Sequence, residues 1–322
     1  MTPCDCGMIH DGELDRMAHA LADHILETRC VEAAEDAVAT AVADRIIPAI
    51  GGFKKAKSKR RRVNFTAYYQ FLAPHEARLQ RALKPYWKAQ QASIVSHMRH
   101  SPRRAVGPGR IKALNFSELF EQWAFAKGPA DKALQEIYQD FAGKLLMASA
   151  VREAENYGLS TSWDVFNQNI EGWLKTYSID LADEINTTTL DKLKGSLLEG
   201  WQDGESIPDL TNRVRDLYEE FDRSRAETIA RTESIRASAQ GALQEYAASG
   251  VVDRVMWVCG PDPCEECAPM EGKVVGLGDA FFDDDYGSGD SPPLHPRCVC
   301  DIVPILEGET VDEETGTISE GE

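Results

Sequence analysis

Two short cysteine groups near the C-terminal end constrain this chain more than any other feature. They are Cys264-x-x-Cys267 and, about thirty residues on, His295-Pro-x-Cys298-x-Cys300. A CxxC turn aims two sulfurs at one point, and a second close pair can complete a tetrahedron of soft ligands around zinc. Closing the intervening loop costs only a few kcal/mol, against about 10–16 kcal/mol for structural zinc in small peptides. Five of the eight cysteines, Cys259, Cys264, Cys267, Cys298 and Cys300, fall in this stretch. In a reducing compartment such clustering points to metal rather than disulfides. Cys264, Cys267, Cys298 and Cys300 would make a four-thiolate site, with His295 outside the shell or exchanging with Cys300. Four protein ligands leave no open position, so the expected role of the zinc is structural. Cys259 precedes a Gly-Pro turn and reads as a buried thiol. Cys4, Cys6 and His10 could hold a second metal only if Cys30 or another chain supplied a fourth ligand, and the two cysteines read instead as free terminal thiols.

The flanking sequence implies a mainly helical chain with a small β-containing, zinc-knuckle-like C-terminal module, an α+β arrangement. Apolar residues at helical spacing, among them Leu14, Met17, Ala18, Leu21 and Ile25, predict a helix over 11–47. Further helices are expected over 75–99 and 116–156, then a long helical stretch up to Gly250. A break falls near 157–161, a turn at Asp203-Gly204, and a fresh start at Ser206-Ile207-Pro208. Beyond Gly250 the segments 251–258, 273–277 and 299–306 read as strands, and 278–296 as an acidic loop. The domain organisation that follows is an N-terminal helical region 1–160, a helical part 161–250, a β and cysteine-rich module 251–306, and a tail 307–322. The tail holds seven acids and no base, and reads as disordered.

Charge divides the chain sharply. Residues 51–112 carry sixteen Lys or Arg against one acid, Glu76, a local +15 in a chain of net charge −18. A local field of that sign can hold an anion although the whole protein is acidic. The run Lys54, Lys55, Lys57, Lys59, Arg60, Arg61 and Arg62, with Arg103, Arg104 and Arg110, is therefore the candidate nucleic-acid contact. Nearby aromatics Phe65, Tyr68, Tyr69 and Phe71 could stack on bases. The competing reading is a solvated segment, or one that meets an acidic protein surface.

Other features exclude more than they include. No apolar stretch is long enough to cross a bilayer and the start does not read as a signal peptide, so a soluble protein made in a cytoplasm is expected. Serine-hydrolase, HExxH and phosphate-loop motifs are missing, which argues against an enzyme with a small-molecule substrate. Asp283, Asp284 and Asp285 read as a solvated acidic cluster, and His19 and His24 as ordinary helix residues. Arg231, Thr232 and Glu233 point in different directions on one helix. They read as polar residues tying it to the cysteine module rather than as a catalytic pair.

Six elements occur in a fixed order: GESIPDLTNRV at 204–214, RAETIARTES at 225–234, VMWV at 255–258, DPCEEC at 262–267, EGKVV at 271–275 and PPLHPRCVC at 292–300. Together they resemble the phage head morphogenesis family, the Mu F-like minor head proteins, over about residues 187–306. One departure is Val299, where the family usually has Arg between its last two cysteines. The resemblance implies a non-enzymatic virion protein, present in a few copies near the portal vertex inside the capsid and assembled in the host cytoplasm. Its implied partners are the portal protein, other head proteins and packaged DNA. Two alternatives use the same residues: a zinc-dependent hydrolase or toxin-like enzyme, and a free cytoplasmic nucleic-acid-binding protein.

Overall fold

The computed structural model describes residues 63–100, 116–160, 163–284, 287–306, 308–312 and 317–320. The expected helix over 11–47, the basic run from Lys54 to Arg62, Arg103, Arg104, Arg110, and Cys4, Cys6, His10, His19, His24 and Cys30 lie outside the described residues. Within them the chain is mainly helical, with a small β region at the C-terminal end.

Helix α1 spans Phe65–His100, α2 Phe116–Trp123, α3 Lys127–Tyr157 and α4 Trp163–Gln202. Helix α5 spans Ile207–Glu220, and a π-helical turn, Phe221–Arg225, joins it to α6 at Ala226–Ser249. The ends follow local chemistry. Gly158 closes α3 and Gly250 closes α6 in the left-handed region, at φ 65° and 69°, where a residue without Cβ is unstrained. Ser206 caps α5 through a capping box: its Oγ accepts from Asp209 N, and Asp209 Oδ2 accepts from Ser206 N at 3.1 Å.

Helix α1 begins ten residues before the expected position. Both Pro74 and Pro85 lie inside the helix. The start is instead set by Asn64, whose Oδ1 accepts from Ala67 N at 3.1 Å. The extra turns carry the aromatics of the basic segment, and these turn inward. Tyr68 is buried and Phe65, Tyr69 and Phe71 are half-buried, so they are not laid out for stacking on bases.

The helices share one core that includes Leu72, Trp87, Trp123, Tyr138, Phe141 and Phe221. Helices α3 and α6 approach closely where Gly241 faces α3; a Cβ there would stand 2.5 Å from Leu146 O. The last α6 turns and Leu159 pass directly into a second core beneath the sheet.

That sheet has three antiparallel strands in the order β2-β1-β5: Val252–Val258 (β1), Val274–Gly276 (β2) and Asp301–Leu306 (β5). The period-two alternation sends Val255, Trp257 and Ile302 toward α6 and the cysteines, and Met256, Val303 and Ile305 to the opposite face. Between β2 and β5 the expected loop contains a small ladder, Phe282–Asp284 (β3) with Gly287–Gly289 (β4). Asp283 is exposed there.

The acidic tail differs from the expectation of disorder. Glu309–Asp312 (β6) pairs antiparallel with Thr317–Glu320 (β7), and Ile318 is buried with Met256, Val303 and Ile305. Two apolar residues cross-paired in register, Val311 and Ile318, pack on the outer face of the sheet. Composition alone hides them among carboxylates.

A buried ionic group fastens sheet to helices. Arg152 on α3 lies 2.7 Å from Glu153 Oε1 and 3.4 Å from Asp301 Oδ2 at the start of β5. Its guanidinium sits 4.5 Å from the Tyr68 ring centroid and 4.9 Å from that of Phe71, both on α1. Tyr246 on α6 donates to Glu153 Oε2 at 2.5 Å. Burial lifts the Asp301 carboxyl to about 7 against the opposing pull of Arg152.

Candidate metal centre

The cysteine groups sit on two turns at the same end of the sheet, one after β1 and one before β5, where Val258 pairs with Asp301. Asp262, at φ 57°, turns the chain after β1, and Ala268 N donates to Cys264 O at 2.9 Å, closing the CxxC turn. Met270 N then donates to Cys267 O at 2.9 Å as the chain enters a short 3-10 turn, Ala268–Met270. Ahead of β5, Cys298 N donates to His295 O at 3.1 Å, with Arg297 at φ 65°.

The two turns meet. His295 Nε2 lies 3.1 Å from Cys264 Sγ and 3.1 Å from Cys267 Sγ, and Cys267 Sγ lies 3.7 Å from Cys298 Sγ. The donors form two overlapping groups, Cys264–Cys267–His295 and Cys267–Cys298–Cys300. Within each group the donor atoms lie within 4.8 Å of one another, and Cys267 belongs to both. All five residues singled out in the sequence are therefore brought together. Cys264 is exposed and His295 half-buried, whereas Cys267, Cys298 and Cys300 are buried. Such donors could hold a metal ion, and thiolates with an imidazole suit zinc.

His295 turns one ring nitrogen to the sulfurs and the other to the backbone. Its Nδ1 stands 2.9 Å from Pro296 O, so a proton held on Nδ1 leaves Nε2 with a free lone pair facing the two sulfurs. Cys259 is the buried thiol expected, donating from Sγ to Cys267 O at 3.0 Å. Its N–H donates to Glu271 Oε2 at 2.6 Å, which anchors the start of the first turn.

The electrostatics of the donors show what an ion must supply. Burial, then the neighbouring Cys298 sulfur, pushes the Cys267 thiol up to about 12. Cys298 is raised by its hydrogen bond with Cys300 and by burial. Burial also puts Cys259 at about 12. Backbone N–H donation from Cys267 lowers the exposed Cys264. Burial works against protonated His295, but the Pro296 carbonyl and the Cys298 and Cys264 sulfurs outweigh it, raising its pKa. Cys267 and Cys298 thus hold their protons more tightly than a free thiol, and their ligation requires a cation strong enough to displace those protons.

The helices hold the second turn from outside. Thr232 Oγ1 on α6 accepts from Arg297 N at 2.9 Å, and Arg297 Nη2 donates to Glu227 Oε1 at 2.6 Å. Glu233 faces away, accepting from Tyr177 Oη at 3.2 and 3.0 Å on its two oxygens, and Arg231 lies 3.7 Å from Glu76. Of the three polar residues weighed together in the sequence, Thr232 alone ties α6 to the module, and the other two bind neighbouring helices. Tyr69 Oη on α1 donates to Val299 O at 3.4 Å. Val299, standing where the resembled family usually has Arg, also packs its side chain on Gly260; a Cβ on Gly260 would stand 2.7 Å from Val299 Cγ2.

One stretch of chain thus carries the end of α4, helices α5 and α6, the sheet and every donor. Residues 191–303 match the model of the family described as Phage Mu protein F like protein. The matched segment lies inside the span 187–306 expected from the ordered motifs. The Mu F-like region contains Thr232, Cys264, Cys267, His295, Cys298 and Cys300. Helices α1, α2 and α3, which supply much of the shared core, fall outside it.

The chain is also 25% identical over 205 residues to an uncharacterized protein, YqbB, of Bacillus subtilis (strain 168). That alignment covers 59% of this chain and 66% of the relative, just under two thirds of the relative's length. No solved structure matches. Among the described residues, no helix is long and apolar enough to cross a membrane.

Proposed function

We propose that this chain is a structural, non-enzymatic minor protein of a tailed-phage head, acting in head assembly, with its C-terminal module closed around one zinc ion. The observation that carries the reading is the coincidence of the Mu F-like match, residues 191–303, with all five converging donors. In this reading Cys264, Cys267, His295 and Cys298 hold the ion and Cys300 stands behind them. Zinc would supply the positive charge that turns the raised thiols into thiolates, and would pin two turns that few apolar residues hold. The module would then be a zinc-knuckle-like staple.

The donor groups consist of Cys and His alone. Four such ligands fill a tetrahedron and include no carboxylate to act as a base on bound water, which favours a closed structural site over a hydrolase. The protein would sit inside the capsid at the portal vertex, having assembled in the host cytoplasm with the portal protein and other head proteins. Its basic residues, Lys54 to Arg62 with Arg103, Arg104 and Arg110, would lie against packaged DNA during packaging or ejection.

Quantitative mass spectrometry of purified heads tests this. The chain should co-purify with DNA-filled heads at a few copies per particle and bind the co-expressed portal protein. Its absence from heads and procapsids, with the chain left free in the lysate, would refute the proposal.

A further inference from the structure

A second surface lies on the helical bundle, apart from the cysteines. Helices α1 and α5 leave two adjoining clefts between them, each of about 340 Å³, that share Gln91 and Arg215. The first runs to the end of α1 past Ser96, Arg99 and His100, and no acid lines it. The second runs back along α1 past Lys88 and Lys84 to Glu219 and Asp222. Asp222 is already paired with Lys84 at 3.0 Å. Lys88, Arg99, His100 and Arg215 are exposed.

The pattern is regular. Lys84, Lys88, Gln91, Val95 and Arg99 follow one another at three- and four-residue steps, so one face of α1 carries the stripe. From Lys84 to His100 the helix rises about 24 Å, the length of roughly seven base pairs of duplex. Glu76 is the one acid of α1, in a chain of net charge −18. Arg99 and His100 also offset the negative end of the helix, which accounts for basic residues in its last turn but not for Lys88 or Arg215.

We infer that this α1–α5 groove binds the phosphate backbone of duplex nucleic acid without reading its sequence. Charge complementarity selects a polyanion, and Gln91 and Ser96 offer hydrogen bonds to phosphate oxygens beside the cations. The clefts offer no stacking platform. Their aromatics, Trp87 and Tyr218, are only 2% and 4% exposed. That favours a duplex, which presents phosphates with its bases already stacked, over a single strand. The inference rests on the DNA reading above only for the identity of the polyanion.

Anisotropy of a labelled duplex of about 20 base pairs, titrated with the full chain between about 50 and 200 mM salt, tests it. Lys88→Glu/Arg99→Glu/Arg215→Glu changes exposed residues only, and should lower Tm by no more than a few degrees, the loss coming from the helix-end charge of Arg99. It should weaken binding at least about tenfold and lower the log–log salt slope by roughly 2–3, at about 0.9 per lost contact. The Gln version of the same triple should act in the same direction with a smaller loss. If Arg60→Ala/Arg61→Ala/Arg62→Ala abolishes binding while both groove variants leave affinity and slope unchanged, the groove is not the site and the DNA reading survives. No duplex binding by the wild type at the lowest salt would sink both. A poly-aspartate of matched charge that competes as well as duplex would overturn the nucleic-acid assignment in favour of an acidic protein partner.

Discussion

Replacing His295 and Cys300 in turn separates two ligand sets that the sequence alone leaves open. In a tetrahedral site with Zn–S of about 2.3 Å and Zn–N of about 2.0–2.1 Å, sulfurs stand ~3.8 Å apart and sulfur stands ~3.5 Å from nitrogen. The Cys267–Cys298 separation of 3.7 Å already meets this, and the two 3.1 Å approaches of His295 need open by only about 0.4 Å. Sharing about 10–16 kcal/mol evenly over four ligands gives about 3–4 kcal/mol each, or two to three powers of ten in affinity. His295→Ala should therefore weaken zinc binding by about 10²- to 10³-fold, and Cys300→Ser by less than about tenfold. Competition with a chromophoric chelator on the full chain measures both, and elemental analysis of the wild type should give about one zinc per chain. The reasoning fails if Cys300→Ser shows the large loss and His295→Ala the small one, since a four-thiolate site would then exclude the imidazole. A wild type with no zinc and freely reactive thiols would remove the metal altogether.

Three further outcomes follow from packing and charge. Arg152→Met should cost about 3–5 kcal/mol and lower Tm by on the order of 10 °C in a thermal melt, because it leaves buried Glu153 and Asp301 without their cation; an unchanged Tm would mean that the group does not join sheet to helices. Gly241→Ala sets a Cβ 2.5 Å from Leu146 O and 2.9 Å from Ser149 Cβ. The overpacking of about 1–3 kcal/mol should exceed the helix-propensity gain of about 1 kcal/mol, so denaturant titration should show a net loss. Burial raises the Glu233 carboxyl above its ordinary 4.5, despite Arg236 and its tyrosine partners. Ionisation in the folded state is thus disfavoured, and wild-type stability should fall as pH rises from about 4.5 toward that raised value. The stability difference between Glu233→Gln and wild type should shift in favour of Gln over the same window; a shift the other way would show that Arg236 keeps the carboxylate ionised.

What could be read from the sequence was mostly local. Gly158, Ser206 and Gly250 mark helix ends through their own backbone chemistry, and the structure places ends there. The five metal-ligand candidates were legible because CxxC and HPxCxC are short-range patterns, although their convergence depends on β1 and β5 lying side by side. Elements decided by distant partners were not legible. Tyr68 and Phe71 follow a basic run and suggest exposure, yet both sit beside Arg152, about eighty residues away in sequence. Arg152 and Glu153 look like ordinary polar helix residues, and the one hint of their burial is an acid, Asp301, opening an apolar strand. In the tail, Val311 and Ile318 are too sparse to register against seven carboxylates.

The inward turn of α1 bears on how the Mu F-like stretch could be handled or inherited. Tyr69 and Arg152 reach the module from helices outside residues 191–303, and Tyr68 packs in the core they share. A fragment cut before residue 191 would uncover the apolar side of α6 and leave Asp301 without its counter-ion. The matched stretch is therefore not a cassette that can be moved alone. A recombination joint that preserved it while exchanging what precedes it would need two replacement helices, one offering an aromatic pair and the other an arginine, at the same places. Chimaeras joined between α3 and α4 should be insoluble, whereas those joined before Asn64 should keep the whole core of the described residues.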